Sequence, residues 1–176
     1  MEAALAVFAK SGVDAPVREI ADAAGVGVGT FYRHFPQRAD LVAAVFRHEV
    51  DACADAAPIL ASEHEPGEAL ARWMQRYADF IATKRGLASA LHSGHPAYGA
   101  LHAYFNERLQ PALAGLLKAA ATAGEVRGDV EPEELLRAVG SLCMQASDDG
   151  RDQTRRMVAL LVDGLRYGAG TARGDR

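Results

Sequence analysis

Cysteine, lysine and long apolar runs are what this sequence has least of. Its 2 cysteines, Cys53 and Cys143, are too few and too far apart for a disulfide framework or a zinc-type pair, and they fit a reducing cytoplasm. No apolar stretch is long enough to span a bilayer, and no signal-peptide pattern follows Met1, so no membrane partner is expected. Lysine is confined to Lys10, Lys84 and Lys118, while alanine, glycine and arginine abound, as in a GC-rich bacterial genome. Phosphate-loop, nucleophile-elbow and paired-carboxylate signatures are missing as well, which leaves an enzyme without a chemical starting point. The net charge of -4 argues against a protein that coats nucleic acid indiscriminately. The most telling absence is local. Between Ala23 and Ala39 there is no acidic residue, while Arg33, His34 and Arg38 fall inside that window.

What is present in and before that window is a pattern. The stretch Val17 to Phe35, VREIADAAGVGVGTFYRHF, reads as two short helices joined by a tight turn. Ile20 and the small Ala21 lie in the first helix, Gly25 permits the sharp bend, and Val26 and Phe31 anchor the second helix across the first. This is the arithmetic of a helix-turn-helix, whose second helix enters the DNA major groove. Thr30, Arg33 and His34 lie within one turn of one another and share a surface. Hydroxyl and basic groups there donate to phosphate oxygens.

Around this motif the periodicity is helical throughout. Residues 1–11 carry an apolar stripe of Leu5, Phe8 and Ala9 closed by Gly12, and Pro16 opens the next helix. Pro36 ends the second motif helix. A longer helix from about residue 37 carries Leu41, Val42, Val45, Phe46 and Val50 and is expected to stop at Ala57, before Pro58, with a loop at 61–67. Residues 68–84 form a helix broken by Gly86, 87–92 a short helix, 93–96 a turn, and 98–123 a long helix with Pro111 inside it. Helices follow at 132–146 and 153–167. No strand pattern survives, so the class is all-α: a three-helix helix-turn-helix domain at residues 1–46 and a helical bundle at 47–176.

The set Ala3-Ala4-Leu5…Phe8-Ala9…Gly12, Val17-Arg18-Glu19-Ile20-Ala21…Ala24-Gly25-Val26, Gly29-Thr30-Phe31-Tyr32-Arg33-His34-Phe35 and Arg38…Leu41 resembles the DNA-binding domain of tetracycline-repressor (TetR) family regulators. The resemblance covers roughly the first quarter of the chain. It implies a homodimeric repressor on a palindromic double-stranded operator, with a small-molecule effector in the C-terminal bundle changing the spacing of two reading heads. By position, Tyr32 and His34 look like the phosphate-contacting pair. Thr30 would also touch the backbone, and Arg38 stands where a basic residue opens the fourth helix and grips phosphate. Val28, Gly29 and Arg33 are the candidates for groove or base contact, with Arg18 outward on the preceding helix. Of these, Arg33 alone is able to make a bidentate contact to guanine. Two departures are visible. Gly27 replaces the usual serine or threonine cap, and the basic stretch that precedes the family's first helix is not seen before Met1-Glu2. Either an upstream start is missing or those extra contacts are.

The last two long helices carry stripes suited to a subunit interface: Leu136, Val139 and Cys143 on one, Met157, Leu161 and Leu165 on the other. The plainer alternative is that they face the protein's own core. Trp73, Met74, Tyr77, Phe80, Tyr98, Phe105 and Met144, with His92 and His102 as polar handles, suit an effector cavity as a group, although for any one of them taken alone core packing is the better reading. His92, His95 and His102 raise a metal site, but Gly94 and Pro96 interrupt the helix that would align them, and no acid or cysteine lies close by, so no metal or other cofactor is expected. Asp148-Asp149, Glu133-Glu134 and Ser141 are the only residues that suggest catalysis, and the acidic pairs lie where acids cap helices. An alternative to ligand control remains: a DNA-binding dimer whose bundle only dimerises or recruits a partner protein.

Overall fold

Small and apolar residues at helical spacing, punctuated by glycine and proline, set out a chain of helices. The computed structural model describes residues 1–91, 95–145 and 151–167, with side chains left out at 83–91, 144–145 and 151. Among the described residues the elements are α1 (Glu2–Ser11), α2 (Val17–Ala23), α3 (Val28–His34), α4 (Arg38–Glu63), α5 (Pro66–Leu91), a 3-10 turn (Pro96–Tyr98), α6 (Leu101–Thr122), α7 (Pro132–Gln145) and α8 (Arg151–Arg166). No strand occurs among them.

Two helices run further than expected. Helix α4 passes through Pro58 to Glu63, so neither the stop at Ala57 nor the full loop at 61–67 is found. A proline within a helix withholds one donor, here the one that would reach the carbonyl of Ala54. The burial of Cys53, Ala54 and Ala57 outweighs that loss. The turn just before is also tied down from α5, where Trp73 Nε1 donates to the Cys53 carbonyl and Arg76 Nη2 to that of Ala52. Helix α5 likewise continues past Gly86 to Leu91, replacing the separate helix expected at 87–92. Glycine lowers helix stability by only about 1 kcal/mol, so it need not break a long helix.

The chain forms two compact units. The first comprises Met1–Val50 and Thr83–Phe105. Helix α1 packs on α2 and α2 on α3. Its core joins Val7, Phe8, Ile20, Ala21, Phe31, Leu41, Val42 and Val45. Tyr98, far along the chain, packs against the same cluster. The Arg47 guanidinium lies 5.9 Å over the Tyr104 ring.

The second unit comprises Asp51–Ala82 and Asn106–Arg176. Trp73, Met74, Tyr77, Leu109, Leu113, Val139 and Val158 are fully enclosed in it. Helix α7 packs on α8. Polar contacts fix the helix ends and faces. Glu125 Oε2 accepts from the Gly67 N–H at 3.0 Å, placing a carboxylate at the positive end of α5. Arg108 spans Asp51 (2.8 Å) and Asp55 (2.7 Å), tying α6 to α4. Arg155 pairs with Asp79 at 3.0 Å, tying α8 to α5.

Candidate nucleic-acid interface

The turn between α2 and α3 depends on one glycine that no other residue replaces without strain. Gly25 takes φ +67, a left-handed conformation, and the Val26 N–H returns to the Ala21 carbonyl at 3.0 Å. Gly27 is the N-cap of α3 in an extended conformation, with no side chain to cap the helix. Its carbonyl accepts from Thr30 and Phe31 N–H at 2.9 and 3.0 Å. Phe31 is buried and fixes the helix rotation, with the Tyr32 ring edge-on at 5.9 Å and Phe35 at 5.5 Å.

Burying Phe31 turns the residues around it outward. Tyr32 is 49% exposed, and Gly29, Arg33 and His34 are exposed beside it. Thr30 is half-buried, and its hydroxyl oxygen accepts from Arg33 Nη2 at 3.1 Å. Val28 is half-buried and packs on the core, so only its edge faces outward. Arg18 is exposed on α2, where Glu19 next to it accepts from the Ser11 hydroxyl at 2.9 Å. Arg38 has partners within the chain. Its guanidinium turns inward and donates to the backbone carbonyls of Val13 and Ala15, bracing the connector between α1 and α2. Those carbonyls follow the first helix and have no strand or helix to satisfy them, which is why a fixed cation fork is drawn in.

An exposed helix presenting tyrosine, arginine and histidine, mounted on a tight glycine turn, is built to meet a polyanion. Residues 1–45 match the family model of bacterial regulatory proteins of the TetR family, and residues 65–167 match that of the SbtR-like transcriptional regulator C-terminal domain. The fold is also that of the TetR transcriptional regulator SCO0520 from Streptomyces coelicolor, at 39% identity over 94% of this chain and 95% of that one, with a TM-score of 0.82. The chain belongs to the TetR family. A TetR regulatory protein from Mycobacterium vanbaalenii is 36% identical over 94% of this chain and 92% of its own, with a TM-score of 0.70. FadR from Bacillus subtilis, solved in complex with stearoyl-CoA, shares the fold at 20% identity, covering 95% of this chain and 96% of its own, with a TM-score of 0.63. Among curated proteins no match is found. This is a DNA-binding transcriptional regulator, of a family that is not enzymatic.

The residues expected around an effector in this TetR regulator divide between its two units. Trp73, Met74, Tyr77 and Phe80 are packed into the core of the second unit. Trp73 and Tyr77 stack at 5.6 Å with 7° between their planes, and the Tyr77 hydroxyl donates to the Leu136 carbonyl at 3.2 Å. With the Trp73 N–H on Cys53, both aromatic polar groups are occupied by backbone. Burial holds the Tyr77 phenol well above the usual tyrosine range, with the Cys53 and Cys143 thiols adding to it. Tyr98, His102 and Phe105 belong to the first unit, so the expected set does not gather within either. His102 is exposed there, and Tyr98 and Phe105 are half-buried. His92 and the Met144 side chain lie outside the described residues. Sequence reasoning did not find a concavity that the described residues of the second unit carry. This is a groove of about 480 Å³ between α5 and α8, lined by Glu68, Arg72, Gln75, Asp79 and Arg166 among others. Its lining is too charged for an aromatic-rich signal to reveal. Among the described residues no three His, Cys, Asp or Glu side chains converge as metal ligands, and the His95 Nδ1 accepts from the Ala97 N–H.

The interface stripes also divide. Leu136, Val139, Cys143 and Leu165 face the core of their own unit, each at most 5% exposed. Met157 and Leu161, in contrast, reach the surface of α8, together with Leu160 at 61% and Tyr167 at 86%. A helical period marks two apolar faces as one when both are apolar, so the outward set needed the structure to separate it.

Proposed function

We propose that this regulator is a repressor that binds a palindromic operator as a homodimer through α3 and leaves it when a small molecule binds. In this reading residues 1–46 form the DNA-binding domain and 47–176 the effector-binding and dimerisation domain, and the protein works in the cytoplasm, where operator DNA lies. The observation that carries it is the outward display of Tyr32, Arg33 and His34 on a helix fixed by buried Phe31. Tyr32, His34 and Thr30 contact phosphate, with Arg18 beside them, and Val28, Gly29 and Arg33 face the groove. The inward turn of Arg38 supports a bracing role for it rather than a phosphate contact.

Dimerisation falls to the exposed apolar face of α8, around Met157, Leu160 and Leu161, continued by Tyr167. Two such faces form the contact that sets two α3 helices about one DNA turn apart. That FadR from Bacillus subtilis was solved with stearoyl-CoA supports ligand control on this fold.

The closed packing of Trp73, Met74 and Tyr77 favours a second reading, in which the bundle only dimerises or recruits a partner protein. A mobility-shift titration on DNA upstream of the protein's own gene tests the first reading. Binding should weaken steeply with salt as condensed counterions are released. A compound that stabilises the protein to heat should also release the DNA. Retention of DNA by every compound that stabilises the protein supports the second reading instead.

A further inference from the structure

We infer that Thr30 is a positioning residue for sequence readout: its hydroxyl oxygen holds the Arg33 guanidinium so that the operator must carry a guanine opposite Arg33 in each half-site. The inference rests on α3 being the recognition helix.

Thr30 and Arg33 are three residues apart on α3 and therefore neighbours on one face. Arg33 Nη2 donates to Thr30 Oγ1 at 3.1 Å. The two ends of this contact differ in freedom. Thr30 sits in the first turn, half-buried, with its N–H bound to the Gly27 carbonyl at 2.9 Å. Arg33 is exposed at the end of a long flexible stem. The threonine oxygen is thus a fixed point, and the guanidinium is what it orients.

The kind of acceptor matters as much as its place. A carboxylate would hold the guanidinium strongly and cancel its charge. A hydroxyl holds it weakly and leaves it cationic, and the sequence has no acidic residue between Ala23 and Ala39 to intervene. One of five N–H donors is spent on Thr30, and the rest of the planar fork stays available. In the major groove guanine alone sets two acceptors, O6 and N7, side by side. Adenine puts an amino donor next to N7, cytosine presents a donor, and thymine presents one acceptor beside a methyl group. An all-donor fork, held in a fixed direction, selects guanine. Thr30 still has its own O–H to give, so accepting from Arg33 does not prevent it from donating to a phosphate oxygen.

Selection from a pool of randomised palindromic duplexes, followed by sequencing, tests this with the full-length protein. Wild type should enrich guanine at one symmetry-related pair of positions. Arg33→Ala should lose that preference by about ten- to hundredfold. Thr30→Val, which keeps the branched shape and removes the oxygen, should lower it by about three- to tenfold. Thr30→Ser should restore it, with thermal melts showing all variants folded. The inference is overturned if Thr30→Val keeps the full guanine preference while Arg33→Ala loses it. It is equally overturned if Thr30→Val weakens every sequence alike, the mark of a phosphate contact alone. A wild-type protein that enriches no sequence would instead remove the recognition-helix reading, and this inference with it.

Discussion

The indole N–H of Trp73 reaches across to the backbone carbonyl of Cys53 at 2.9 Å, with both residues buried. This bond and the ring's packing hold α5 on α4 within the second unit. Trp73→Phe keeps much of the packing and removes the donor, so it should lower unfolding free energy by about 1–3 kcal/mol. Trp73→Ala should lower it by about 3–5 kcal/mol through the added cavity. Urea unfolding followed by circular dichroism measures both, and a loss in Trp73→Phe close to that in Trp73→Ala would assign the whole effect to the hydrogen bond.

Tyr77 should make the protein sensitive to alkali. Its phenol is held protonated by burial, above the ordinary tyrosine value of 10.0 that applies when the chain unfolds. Above pH 10 the unfolded chain releases this proton and the folded one keeps it. Stability is therefore complete below about pH 10 and falls as pH rises, by up to about 1.4 kcal/mol per unit. Tyr77→Phe should remove that part of the slope, at a fixed loss of about 1 kcal/mol for the bond to Leu136. Parallel slopes for the two proteins between pH 9 and 11.5 would contradict this.

Arg38 braces the first unit through the Val13 and Ala15 carbonyls. Arg38→Gln should lower stability by about 1–2 kcal/mol, since bonds from a charged donor are replaced by weaker ones. If bracing is its role, the slope of log affinity against log salt should stay unchanged, whereas loss of a phosphate contact reduces it by about 1. Operator titrations between 50 and 200 mM salt distinguish the two.

The glycines at 25 and 27 look alike in sequence and should behave oppositely. A Cβ at either meets nothing within 4 Å, so backbone angles decide. Gly25 has φ +67, and Gly25→Ala should cost about 1–2 kcal/mol, seen as a drop of a few degrees in melting temperature. Gly27 has φ -69 and ψ 143, which any residue adopts. Gly27→Ser should gain a few tenths of a kcal/mol by capping α3.

Leu160 offers the cleanest test of the proposed dimer face, because it is 61% exposed and supports no core of its own. Leu160→Glu should leave the melting of the isolated subunit nearly unchanged while weakening self-association by at least about thirtyfold. Sedimentation velocity across a concentration series reads the outcome, and operator affinity should fall in step.

The helix-turn-helix was legible because its signals are local: Gly12, Pro16, Gly25 and Pro36 each fix the chain within a residue or two of themselves. Pro58 and Gly86 misled for the complementary reason, since a local signal does not decide a helix interior: α4 buries Cys53, Ala54 and Ala57 in the turn before Pro58 and runs through it, and α5 runs through Gly86. The outward face of α3 could be read from spacing once Phe31 was taken as the anchor. The inward turn of Arg38 could not, because the carbonyls that draw it lie more than twenty residues earlier. Aromatic-rich α5 suggested a cavity; the structure shows Trp73 and Tyr77 buried, stacked and bonded to backbone. Composition reports which residues are large, not whether they leave a gap.

Tyr98 packs on the same cluster as Phe31 and Leu41, and burial raises its phenol, with Asp40 raising it further against the opposing pull of Arg38. The first unit of this protein is therefore assembled from two separate stretches of the chain. A hybrid regulator that borrows only Met1–Val50 would arrive with a hole where that ring belongs. One that also borrows the segment ending at Phe105 would carry its own plug.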